Sequence, residues 1–241
     1  MNDLSRPAIT SRFVAVLTLG GLVLILAFTW RVVMFMNAIR RGAIGPSELS
    51  FKNSFTPAKK LPSIPSASGS VSIERADAFS LGSEQAALRI VEFADFGCPY
   101  SQQSSFVIRT LAQKYGNRIR YSYRHFPLTD VHPDARQAAE AVECAGAQGK
   151  FWEYHDKLFL NQADLSHKAL VHYAKEINLD SEALDACVSS GRFASRVQTD
   201  IDAGIAAGVA GTPTFFFNGF PIAGAIPENV FEQLIQRFTK T

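Results

Sequence analysis

Two kinds of apolar pattern divide the chain. From Phe13 to Trp30 runs FVAVLTLGGLVLILAFTW, with no charge, followed by Arg31 and Val32-Val33-Met34-Phe35-Met36. Residues 13–30 as a helix, at about 1.5 Å per residue, reach about 27 Å, close to the thickness of a bilayer's hydrocarbon core. The pattern predicts a single transmembrane helix over 13–36. Trp30 would sit at one interface and Arg31 would extend its stem back to it. A cleaved signal peptide is the competing reading. Its apolar region is usually shorter and ends in small residues, whereas bulky Phe35 and Met36 stand here. A buried soluble helix would need a polar face, which this stretch lacks. Residues 1–12 form a short polar tail. Arg6 and Arg12 flank one side of the stretch and Arg31, Arg40 and Arg41 the other, so the positive-inside count does not choose an orientation.

Residues 37–70 show no sustained periodicity. They hold Pro46, Pro57, Pro62 and Pro65, many serines and Lys59-Lys60, which predicts an extended tether. From about Val71 a different pattern begins. Ala87 to Phe93 reads as a buried strand. A helix opens at Pro99, carries Phe106, Val107, Leu111 and Tyr115 at helical spacing, and ends near Gly116. Arg118 to His125 alternates, with Ile119, Tyr121 and Tyr123 on one face of a second strand. Pro133 to about Val209 is helical throughout, with one helix capped by Ser181. Phe215 to Phe217 and Phe220 to Ile222 flank Asn218-Gly219, a strong hairpin-turn dipeptide. Asn229 to Phe238 closes the chain as an amphipathic helix. The order predicts one α/β domain over 71–241, with a helical insertion at about 130–209 splitting a small sheet.

Composition narrows the chemistry. The net charge of +2 is near balance, and no Lys/Arg run is interleaved with aromatics, so nucleic-acid binding is set aside. The five histidines are scattered, and no Cys-x-x-Cys or His-x-x-x-His pair gives metal-ligand spacing, so no metal is expected. Three cysteines leave at least one thiol unpaired within the chain.

That thiol has an obvious candidate. In Val91-Glu92-Phe93-Ala94-Asp95-Phe96-Gly97-Cys98-Pro99-Tyr100-Ser101 a strand meets a turn, a cysteine and a helix start. Pro99 suits the first helical position, where its missing N–H costs nothing. Cys98 would then face the unpaired N–H groups and positive end of a helix, which favour a thiolate. Three residues on stands Ser101, so a Cys-x-x-Cys pair has become Cys-x-x-Ser.

These pieces, with Glu143-Cys144-Ala145, Gly149-Lys150-Phe151-Trp152-Glu153 and Gly211-Thr212-Pro213-Thr214 in order behind them, resemble the DsbA-like branch of the thioredoxin superfamily over roughly 71–241. The resemblance implies a thioredoxin-like fold with inserted helices. It implies that Cys98 attacks or carries a disulfide, that Pro213 is a cis-proline beside its sulfur, and that the backbone of Thr212 pairs with an extended substrate. Pro99 and Tyr100 belong to the same docking edge. Glu92 resembles the buried acid that aids proton transfer; an exposed strand-edge carboxylate is the plainer alternative. Ser101 departs from the oxidases of this branch, whose second cysteine completes a donated disulfide. A serine cannot form it, so Cys98 is left to make mixed disulfides with protein thiols or with an external thiol such as glutathione. Ser101 would hydrogen-bond the thiolate. No other cofactor is expected.

Cys144 and Cys187 fall in the inserted block. Some relatives carry a structural disulfide at these places, which would add a few kcal/mol and require an oxidising compartment. Two inert buried thiols, or a remote resolving cysteine for Cys98, are the alternatives. The resulting expectation is a single-pass protein of a bacterial cytoplasmic membrane. Its C-terminal domain would lie in the periplasm or exterior and exchange disulfides with exported thiol- or disulfide-containing polypeptides. A non-catalytic peptide-binding or chaperone module on the same fold is the rival, and a cleaved, soluble periplasmic form is the rival location.

Overall fold

The computed structural model describes residues 20, 21, 25–31, 33, 34 and 73–239. The chain divides into two units, 1–56 and 57–241. In the first, the described residues are helical, and Ile25, Leu26, Phe28 and Trp30 are exposed. Among the described residues no helix is long and apolar enough to cross a membrane. The expected anchor over 13–36 falls largely outside those residues, and the tail 1–12 and tether 37–70 fall wholly outside them.

The second unit is built on a five-stranded sheet: β1 (Ser80–Gly82), β2 (Leu88–Ala94), β3 (Ile119–His125), β4 (Thr214–Phe217) and β5 (Phe220–Ala223), in the order β1-β3-β2-β4-β5. β2 and β3 run parallel, and every other pairing is antiparallel. The helices are α1 (Pro99–Lys114), α2 (Ala135–Ala147), α3 (Phe151–Leu160), α4 (His167–Glu176), α5 (Ser181–Ser189), α6 (Ala194–Ala206) and α7 (Glu228–Phe238). α1 is the crossover between the parallel strands, and α2 to α6 form the insertion between β3 and β4. The strands and helices lie where the periodicity puts them, with one addition and one shift. β1 is three residues long and too short to show a period. The cap of α5 is Asp180, not Ser181, because the Asp180 carboxylate accepts the N–H groups of Glu182 (3.1 Å) and Ala183 (2.9 Å).

β2 is sandwiched, so both of its faces are apolar. On one face Ile90 packs with Tyr121, Tyr123, Phe159, Phe215 and Phe231. On the other, Val91 and Phe93 pack with Ile73, Phe126, Val209 and Phe216. Burial of each such side chain is worth about 1.5–3 kcal/mol, which fixes the strand's register against a one-residue slip. The hairpin turn has Asn218 and Gly219 at φ 48° and 86°, where asparagine and glycine are least strained. Asn218 also ties the hairpin to the start of β2, accepting from Arg89 N at 2.7 Å and donating to Ala87 O at 3.1 Å.

Candidate active site at the start of helix α1

Cys98 is the residue that turns strand β2 into helix α1. Its backbone is extended (φ −84°, ψ 121°), Pro99 follows inside the helix, and the first turn carries no acidic side chain. The sulfur is recessed, with Cys98 only 5% exposed, and Sγ donates to the carbonyl of Thr212 at 3.2 Å. Two motifs separated by 114 positions are therefore in contact. The Thr212-Pro213 peptide bond is cis, Pro213 is buried, and the Pro213 carbonyl is already engaged by Gly224 N at 2.8 Å. Pro99 is exposed and Tyr100 half-buried.

Ser101 is fully buried, and its hydroxyl accepts the Asp95 N–H at 3.3 Å. The hydrogen bond found for Ser101 Oγ thus runs to the loop backbone and not to the Cys98 sulfur. Glu92 is fully buried on the sheet face it shares with Tyr121 and Tyr123, which removes the exposed-edge alternative. Tyr121 Oη donates to Glu92 Oε2 at 2.5 Å. Burial pushes the Glu92 carboxyl up to about 8, against the opposing effect of the Tyr121 hydrogen bond. Burial likewise pushes Tyr123 well above the ordinary phenol range, reinforced by the charges of Glu92, Asp95 and Cys98. Glu92 Oε1, Tyr123 Oη and His155 Nε2 are buried polar atoms without a hydrogen-bond partner among the described residues.

Cys144 on α2 and Cys187 on α5 are joined, with Cα atoms 6.0 Å apart. Cys98 is the free cysteine of the three, so neither of the others stands ready to resolve it. Among the described residues no cluster of metal-ligating side chains forms.

Three further groups shape the site without being singled out by the sequence. Asp95, almost fully buried, accepts from Gly97 N (2.7 Å) and Leu128 N (2.9 Å) and meets His132 Nδ1 at 2.7 Å. Gln162, in the turn after α3, donates to the carbonyls of Phe96 (2.7 Å) and Cys98 (2.9 Å). Asp95-Phe96-Gly97 is a local signal, since aspartate often bonds the backbone two residues on. His132 and Gln162 reach the loop only through the tertiary fold, and no local pattern announces them.

Comparison with known proteins places this architecture. A family model described as Thioredoxin matches residues 75–237. Oxidised BdbD from Bacillus subtilis superposes with a TM-score of 0.62, at 26% identity, over 68% of this chain and 94% of that one. Wolbachia pipientis alpha-DsbA1 shares the fold at a TM-score of 0.60 and 21% identity, over 69% of this chain and 92% of its own. Among curated proteins, the Na(+)/H(+) antiporter NhaA 3 of Salinispora tropica is 45% identical over 138 residues, which are 57% of this chain and 21% of that protein. The chain thus spans about a fifth of the length of these antiporter relatives. The fold is shared with BdbD and alpha-DsbA1, and with residues 75–237 matched by the family model the chain belongs to the thioredoxin family.

Proposed function

We propose that the protein is a one-thiol disulfide-exchange enzyme acting through Cys98. The observation that carries this reading is a recessed cysteine at a helix N-terminus, 3.2 Å from the Thr212 carbonyl, with a serine hydroxyl where a second thiol would stand. The Cys98 thiolate attacks one sulfur of a disulfide R–S–S–R′. The S–S bond breaks, its electron pair leaves with R′S⁻, and water protonates that group. Cys98 is left as the mixed disulfide Cys98–S–S–R. Ser101 cannot displace R, so an external thiolate such as that of glutathione attacks the R sulfur and returns the electron pair to Cys98. On a glutathionylated protein the same two steps release the protein thiol and then oxidised glutathione. A thiolate at the start of α1 faces the end of the helix that favours negative charge. The Thr212 backbone is the edge along which an extended polypeptide would lie.

The reading includes a place. The Cys144–Cys187 bond suits an oxidising compartment. The uncharged stretch over 13–30 suits a membrane anchor. Together these support a domain held outside a bacterial cytoplasmic membrane and acting on exported polypeptides. Ion transport forms no part of the proposal, which rests on the cysteine site. The test is turnover of a glutathionylated peptide by the full chain with free glutathione. Cys98→Ala should lower it to the uncatalysed rate. Unchanged turnover in that variant would leave the site without this activity.

A further inference from the structure

The loop Asp95–Cys98 sets the direction of the sulfur, and several attachments hold it. Besides the Asp95 N–H to Ser101 Oγ bond, Cys98 N donates to the Asp95 carbonyl at 3.0 Å, Gln162 bonds the Phe96 and Cys98 carbonyls, and the Asp95 carboxylate bonds Gly97 N. That carboxylate is anchored in turn by the segment following β3, through Leu128 N and the His132 ring. His132 is the one side chain among its hydrogen-bond partners in the described residues. The imidazole occupies the room left by the missing Cβ of Gly97: a Cβ there would lie 2.5 Å from His132 Cβ and 2.6 Å from Cγ. The residue before Cys98 is therefore packed directly against His132.

We propose that His132 is a positioning residue for Cys98, acting through its bond to Asp95 and its packing on Gly97. The inference deepens the reading of Cys98 as an exchanging thiol. Exchange requires the attacking sulfur in line with the bond it breaks, and small misplacements cost rate. In a one-thiol cycle the demand arises twice at the same atom. Cys98 Sγ is first the attacking group and then the leaving group, in line with the incoming external thiol. A site with a second cysteine would complete the latter half from within. Here the orientation of one recessed sulfur governs both halves, and the Asp95–His132 pair is among the attachments that hold it.

The test uses the full chain and oxidised glutathione, following Cys98–glutathione adduct formation by intact mass. Cys98→Ala should give no adduct, which assigns the signal. His132→Ala should slow adduct formation about tenfold at temperatures where circular dichroism shows it folded, as expected for a reacting atom held less well. In His132→Asn the side-chain N–H donates near the place of Nδ1, and the rate should return to within about twofold of the parent. Gly97→Ala, which keeps the imidazole but displaces it, should be slow like His132→Ala. A parental rate in His132→Ala overturns the proposal. So does a folded His132→Asn as slow as His132→Ala, because the ring itself and not its bond to Asp95 would then matter. A parent that forms the adduct yet turns over no peptide would sink the proposed function and leave this inference standing.

Discussion

Glu92 and Ser101 are each a single polar side chain closed off from solvent, and they behave differently. Ser101 has a neutral hydroxyl whose bond to Asp95 N keeps it satisfied. Glu92 has an ionisable group in an apolar face, where desolvation dominates and the carboxyl titrates near 8 instead of 4.5. Between those two values the folded chain binds a proton that the unfolded chain has lost, so stability falls as pH rises through the window. Glu92→Gln keeps an acceptor for Tyr121 and cannot ionise. The variant should match the parent near pH 4 and exceed it at pH 8 by on the order of a few kcal/mol. Urea unfolding at the two pH values checks this, and an identical pH dependence in both proteins would contradict it. The acid itself is legible in the sequence through its place six residues before Cys98. Its burial is implied by the family resemblance and not by the local pattern, because alternation along an isolated strand cannot say that both faces are covered.

At the scale of elements, helix α6 shows what periodicity leaves out. Its apolar residues announce a helix, but its distance from the sheet is set by Gly204. A Cβ at that position would lie 2.6 Å from Phe126 Cδ2 and 3.1 Å from Phe93 Cδ1. Both rings are buried and packed edge to face, so neither can swing aside. Gly204→Ala improves helix propensity, yet it should destabilise the domain by about 1–3 kcal/mol through overpacking. A thermal melt at or above the parent's would refute that. The long elements and the hairpin are legible because each repeats a local pattern, and Asn218-Gly219 names its own turn. β1 escapes because three residues show no period. The Asp95–His132 pair and the Gln162 clamp escape because they join loops distant in sequence, and neither joins positions that any helix or strand period relates.

Over the whole unit, charge is sorted inward as well as outward. Asp200 on α6 is fully buried and bonds Arg75 (2.6 Å), Arg124 Nε (2.8 Å) and His125 N (3.0 Å). Arg75 and Arg196 also pair with Glu143 on α2, which meets His125 Nε2 at 3.1 Å. The residues before β1, the strand β3 and two inserted helices are thereby tied through one buried network. Asp200→Ala would leave Arg124, only 3% exposed, facing an empty place, and should cost about 3–5 kcal/mol. A fall in Tm on the order of 10 °C in calorimetry checks it, and a shift within 2 °C would show the network to be dispensable. None of this is legible beforehand, since charged residues in an alternating strand read as its solvent side. The second long-range tie is the Cys144–Cys187 bond. It closes a loop of 43 positions that contains α3, α4 and Gln162. The segment that clamps the carbonyls of Phe96 and Cys98 is therefore part of a covalent ring. Backbone scission in the turn between α3 and α4 would open that ring without releasing a fragment: the two pieces would travel as one molecule until a reductant parted them.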